Sequence, residues 1–236
     1  MTDHSASKES VGSYVAAAIG QSEPSETPPS LSNVPSTTSK GMSGDTSWAI
    51  EQYDSAAQEE AVRAMLDAFG LGGEHFEDTP RRFVELVRAF TRPIDLAEVL
   101  ERDFTSVEDN YMVTQVSIPF AGLCAHHLAP FWGSAAVGYL PRGRIVGISK
   151  ITRLVMAAGR NTPTTQEAIT HAIANTMFKH QRLQPSGVAV VTRAGHGCMA
   201  VRGPKAPLTE TIVSTMRGTF AHSPQTRQEF MDMVTW

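Results

Sequence analysis

Apolar positions recur at helical spacing twice before residue 91. Val62, Met65, Leu66 and Phe69 share one face of a stretch that starts at Ser55, where Ser55 and Gln58 have the spacing of a capping box. Gly70, Gly72 and Gly73 predict its end. Asp78-Thr79-Pro80, a capping residue with proline at the first helical position, predicts a second helix with Phe83, Val84, Val87 and Phe90 as its stripe. From Tyr111 to Ile118 the pattern turns to β-branched residues. Ser134 to Leu140 and Arg144 to Ile148 then predict a hairpin closed by Pro141-Arg142-Gly143. Ser149-Lys150 opens a helix that turns Ile151, Leu154, Val155 and Ala158 inward. Thr162-Pro163 has the form of a cap and first position for a longer helix, with Ile169, Ala172, Ile173 and Met177 buried and Gln166 and Glu167 in its first turn. Pro185-Ser186-Gly187 leads into an apolar strand at 188 to 192, with Cys198 to Arg202 as its continuation beyond a turn at His196. Thr226 to Val234 predicts a closing helix.

Composition shortens the folded part of the 236 residues. Residues 1–47 are rich in Ser, Thr, Pro and Gly and hold few large apolar side chains. Too little surface can be buried there to offset the ordering entropy, which predicts a disordered tail before one domain at 48–236. The patch Tyr14 to Ile19 is too short to span a bilayer and has no basic leader, so neither a membrane anchor nor a secretion signal is expected. A formal net charge of −4 argues against general nucleic-acid binding, and any anionic ligand needs a local cluster of cations. With two cysteines, the chain fits a reducing cytoplasm.

Those cysteines carry the chemistry. Cys124 stands with His126 and His127 in Leu123-Cys124-Ala125-His126-His127-Leu128, and Cys198 follows His196 in Gly195-His196-Gly197-Cys198. A lone free cysteine is ordinarily a small buried hydrophobe. Two clusters that pair both cysteines of the chain with histidine point instead to one tetrahedral metal with an open position for water. Lys150 and Arg153 lie one turn apart on a predicted helix and repel each other unless an anion lies between them; a solvated face is the alternative. Arg81 and Arg82 lie in a first helical turn, where cations oppose the helix dipole.

Taken together, these pieces resemble GTP cyclohydrolase I, the family that opens the pterin branch leading to folate and biopterin. The matching segments are Asp78-Thr79-Pro80-Arg81-Arg82, Cys124-Ala125-His126-His127 with Pro130-Phe131, Gly147-Ile148-Ser149-Lys150, Gln166-Glu167, Gly187 to Val191, His196-Gly197-Cys198-Met199, Arg202-Gly203 and Ser214 to Phe220. They run in the family's order across roughly residues 50 to 235. The resemblance implies an α+β T-fold: an antiparallel four-stranded sheet with packed helices, an N-terminal helical hairpin, and subunits closing into a ring, a decamer. It implies Zn2+ held by Cys124, His127 and Cys198, with His126 and His196 handling protons. It also implies guanine recognition by Gln166 and Glu167, and triphosphate binding by Arg82, Ser149, Lys150, Arg153 and Arg202 in sites shared between subunits. The implied reaction opens the imidazole ring of GTP, releases formate and rearranges the remainder to 7,8-dihydroneopterin triphosphate.

The chain departs from the family pattern at Ala125 (usually glutamate), Gly197 (usually larger), Glu85 (often lysine) and the segment 160–165, which runs one residue longer. These changes leave the metal and acid–base groups in place. They admit two alternatives: a paralogue that stops at ring opening or takes a modified purine nucleotide, and a non-catalytic ring protein that binds pterin or nucleotide.

Overall fold

The computed structural model describes residues 54–234 apart from 107 and 109. The predicted tail at 1–47 lies outside the described residues. Helix α1 (Ser55–Ala68) is capped by Asp54, whose carboxylate accepts from the Ala56 and Ala57 N–H groups. This corrects the capping box assigned to Ser55. Gln58 instead accepts from Arg88 Nε at 2.8 Å and ties α1 to helix α2 (Thr79–Arg88). Val62, Leu66 and Val84 are buried where the two helices meet, whereas Met65 and Phe69 of the predicted stripe are exposed. Proline does open α2 as predicted, but Asp78 makes no side-chain cap and accepts from Arg82 at 2.9 Å.

Four antiparallel strands form the main sheet in the order β2-β3-β5-β6: β2 (Val113–Leu123), β3 (Pro130–Leu140), β5 (Gly187–His196) and β6 (Glu210–Gly218). On one face, Ile118, Phe120, Phe131, Val137, Val188 and Val190 pack under helices α3 (Ile148–Arg160) and α4 (Gln166–Phe178). On the other, Ala136, Ala189 and Val191 pack against Phe220 of α6 (Thr219–His222) and Phe230 of α7 (Pro224–Met233). Successive side chains of a strand point to opposite faces, so covering both faces explains why 188–191 reads as an unbroken apolar run.

Helix α3 lies so close to the sheet that a Cβ on Gly159 would sit 2.2 Å from the Ala121 carbonyl oxygen. Glycine is what permits that approach. The helix thereby fixes β2 just ahead of Cys124.

The predicted hairpin is not formed. Strand β4 (Arg144–Val146) turns away from β3 and pairs antiparallel with β1 (Asp103–Thr105) in a separate two-stranded ribbon. A clasp holds the ribbon at Asp103, whose side chain is 1% exposed and accepts from Arg144 Nε at 2.5 Å and from Arg182. Arg144, then Arg182, hold the Asp103 carboxyl well below the usual carboxylate range despite its burial. A carboxyl depressed in the folded state stabilises above its unfolded pKa, and that contribution is lost as pH falls through the folded value. Asp103→Asn is therefore expected to lower stability at neutral pH, and the gap to wild type should narrow in acid. Urea unfolding at both pH values checks this, and equal stability at neutral pH would count against the clasp.

Two further boundaries differ from expectation. Helix α4 starts at Gln166, with Thr165 as its cap accepting from Ala168 N–H; Thr162-Pro163 lies before it, outside the helix. The segment after His196 is not a strand: Gly197–Ala200 forms a short helix, α5.

Candidate metal centre and surrounding site

Strand β2 reaches β3 through a tight turn whose backbone closes on Cys124. The Cys124 N–H donates to Ala129 O at 2.9 Å, and the His127 and Leu128 N–H groups both donate to Cys124 O. Leu128 takes a positive φ of 49° to complete the turn. The extended loop before α4 is strapped onto it: Thr164 N–H donates to Leu123 O at 2.8 Å and Ala125 N–H to Thr164 O at 3.1 Å. The 160–165 segment thus forms part of the wall of the site.

The turn presents both histidines beside the sulfur. Cys124 Sγ lies 3.7 Å from His126 Nδ1 and 3.8 Å from His127 Nδ1. Cys198 enters from α5, and one ligand atom each from Cys124, His127 and Cys198 lie within 4.8 Å of one another. Gly197 lets α5 start close against β3, since a Cβ there would stand 2.7 Å from the Pro130 carbonyl oxygen. Both cysteines are free. Burial and the adjacent Cys124 sulfur push the Cys198 thiol up. A cation at the centre of the three ligands would reverse that by favouring the thiolate. Two sulfurs and one imidazole are a donor set that could hold a tetrahedral metal ion.

His196 closes the other side. It ends β5, opposite Phe131 in register, and the two rings stack with centroids 4.8 Å apart and planes 14° from parallel. Its Nε2 is 2.8 Å from Gln166 Oε1. Burial pushes the imidazole pKa down, with Glu167 opposing. Glu167 is exposed, and its own backbone N–H, the Thr165 hydroxyl and the nearby His196 and His126 hold its carboxyl below the usual range.

The structure therefore brings Cys124, His126, His127, Glu167, His196 and Cys198 into one cluster, with Gln166 beneath it. Arg202 joins by hydrogen bonding to His127 Nε2. Among the described residues, no hydrogen bond or ion pair links Arg82, Ser149, Lys150 or Arg153 to this cluster. Arg82 is engaged with Asp78 on α2, and Ser149, Lys150 and Arg153 lie in the first half of α3. Gln166 is 2% exposed, and its amide nitrogen contacts Thr192 and Thr211 inside the fold. Sequence reasoning gave no role to Phe131 or to these threonines. A polar residue closing the apolar run at 188–192 was the available signal for Thr192.

The sequence model of GTP cyclohydrolase I matches residues 58–235. Among similar proteins, the GTP cyclohydrolase 1 of Carboxydothermus hydrogenoformans is 41% identical over 179 residues, covering 74% of this chain and 91% of its own. That of Halalkalibacterium halodurans is 36% identical over 191 residues, covering 78% and 99%. That of Pelotomaculum thermopropionicum is 37% identical over 187 residues, covering 77% and 97%.

Proposed function

The chain belongs to the GTP cyclohydrolase I family, and from that premise we propose that it converts GTP completely, through ring opening and formate release, to 7,8-dihydroneopterin triphosphate. The observation that carries the proposal is the approach of Cys124, His127 and Cys198 to within 4.8 Å, with His126, His196 and Glu167 around them. Zinc is the metal we assign to those three ligands. When bound, it supplies Lewis acidity that brings the pKa of water toward about 7, so that a nucleophile for guanine C8 exists at neutral pH.

The remaining roles fall to the chain's own groups. His196, oriented by Phe131 and Gln166, takes a proton from water at its lone-pair nitrogen as the nucleophile adds to C8 and passes it to the guanine ring nitrogen as the C8–N bond breaks, and exposed His126 assists. Glu167, kept ionised by its local donors, accepts from guanine N1–H and the exocyclic amino group, a pair of donors that adenine lacks. Arg202 takes the triphosphate.

Arg82, Ser149, Lys150 and Arg153 make no hydrogen bond or ion pair to the cluster within one chain, and we assign them by family resemblance to the triphosphate in a site shared with a neighbouring subunit. The N-terminus of α3 has no side-chain cap, leaving N–H groups for an anion. The ring fits the sheet as well: β2 and β6 are its edges, and long open edges invite pairing with another copy. We assign a decamer on family resemblance. Light scattering at micromolar concentration is expected to give a large closed oligomer, and a monodisperse monomer would remove both the ring and the shared site.

Among the described residues, no helix is long and apolar enough to cross a membrane. We place the enzyme in the cytoplasm, where both thiols stay available to metal.

GTP incubated with the zinc-loaded protein is expected to yield formate and, after oxidation, a fluorescent pterin. Protein lacking residues 1–45 should give the same products, since we assign the activity to 48–236. Formate without pterin would favour a paralogue that stops early, consistent with the altered 160–165 wall holding the opened ring less firmly. Nucleotide binding without turnover in zinc-loaded protein would reject the enzyme reading.

A further inference from the structure

Beneath His196 lies a hydrogen-bonded network in which nearly every hydrogen can be assigned. Thr170 Oγ1 donates to the Gln166 carbonyl at 2.8 Å, which engages its single hydrogen. The 2.8 Å contact between Thr170 Oγ1 and Thr192 Oγ1 must therefore use the hydrogen of Thr192. Thr192 Oγ1 is left to accept from Gln166 Nε2 at 3.0 Å. The second amide hydrogen goes to Thr211 O at 3.0 Å, with Thr192 O nearby at 3.2 Å.

Three acceptors around one atom identify it as the amide nitrogen and exclude the flipped amide. The other atom, the oxygen, faces His196 Nε2 at 2.8 Å. An amide oxygen only accepts, so the imidazole must donate from Nε2. The Phe131 stack fixes the plane of the ring, and the Gln166 bond fixes its rotation within that plane.

We infer that Gln166 is a positioning residue that holds neutral His196 as its Nε2–H tautomer and leaves Nδ1 as the lone-pair nitrogen for chemistry. The inference rests on His196 being the proton-exchanging group. It also changes the assignment of substrate contacts. Both amide hydrogens of Gln166 are engaged inside the fold and its oxygen is engaged by His196, so the guanine edge is read by Glu167 without help from the Gln166 side chain.

The test uses full-length, zinc-loaded protein with 15N-labelled histidine, observed by NMR at alkaline pH where the imidazole is neutral. The His196 signals are assigned by their loss in His196→Asn. A protonated, pyrrole-type Nε2 and an unprotonated, pyridine-type Nδ1 are expected; the reverse pattern overturns the inference. Gln166→Met keeps the length of the side chain and removes its hydrogen bonds. In that variant, zinc content should hold and the His196 signals should shift toward a tautomer mixture. kcat should fall by about 10²-fold, as expected of a misplaced catalytic group, with KM changed far less. A large rise in KM with kcat and the His196 signals unchanged would mean that Gln166 binds guanine directly, and would overturn the inference. Should Gln166→Met fail to fold, Gln166→Asn, whose shorter amide cannot span from Thr192 to His196, is read in the same way. Wild-type protein that shows the Nε2–H tautomer but releases no formate from GTP would sink the proposed reaction and leave the positioning intact.

Discussion

Cys198→Ala protein is expected to emerge from purification with little zinc and to lose at least about 10³-fold in formate release, more than the 10- to 100-fold typical of removing a supporting contact. The proposed site draws on three protein ligands, so losing one would leave two donors from a single turn and no closure from α5. Cys124→Ala and His127→Ala should behave alike. His126→Ala is the informative contrast, because it should keep its zinc while losing activity. The acid side of the metal-binding curve carries a second expectation. Burial and the Cys124 sulfur raise the Cys198 thiol, yet the ligand form is the thiolate, so metal binding displaces a proton and must weaken as pH falls. Elemental analysis and competition with a chromophoric chelator measure both effects. Full zinc occupancy in Cys198→Ala would remove the site as drawn.

Gly159→Ala should cost stability out of proportion to a single methyl group. In an exposed helix interior, the same change stabilises by about 1 kcal/mol. Here the new Cβ would lie 2.2 Å from the Ala121 carbonyl oxygen, and no side-chain rotation relieves a clash with backbone. Overpacking of this kind costs about 3 kcal/mol, so a net loss of about 2 kcal/mol remains. For a domain of this size that lowers the melting temperature by about 4–8 °C. Activity should fall with it, because moving α3 off β2 disturbs the approach to Cys124 from one side and carries Ser149, Lys150 and Arg153 with it. A variant as stable as wild type would show that the helix and strand separate freely.

What the chain disclosed in advance was whatever its local chemistry decides. The Cys124-His126-His127 group reads directly because a tight turn holds residues that are neighbours in sequence. The stripe Ile151, Leu154, Val155, Ala158 also reads directly, because helical periodicity depends on one face being buried. Errors arose where a distant partner decides. Pro141-Arg142-Gly143 has the composition of a hairpin turn, but β4 follows Asp103, which Arg144 meets across a long stretch of chain, and leaves β3 to β5. Ser55 and Thr162 both resembled caps, and each lost the role to a neighbour, Asp54 and Thr165, whose backbone has the extended conformation that capping needs. Sequence reading places Gln166 in the first turn and, by resemblance, at the guanine edge, while nothing nearby in sequence announces Thr192 and Thr211, the acceptors that draw it inward.

The connection between β2 and β3 is also the turn that carries Cys124 and His127, and this bears on the order in which the chain assembles. A short antiparallel connection closes at little entropic cost, so two of the three ligands can be brought together by a local event early in folding. Cys198 arrives only after β5 has found β3 across the intervening α3 and α4, a pairing of much longer range. On the proposed ligand assignment, a half-formed chain would have a two-ligand grip on metal, and the full grip would come with the closed sheet. Tight metal retention would thereby signal completed topology, and a chain whose β5 has not docked would surrender the proposed ion to any competent chelator.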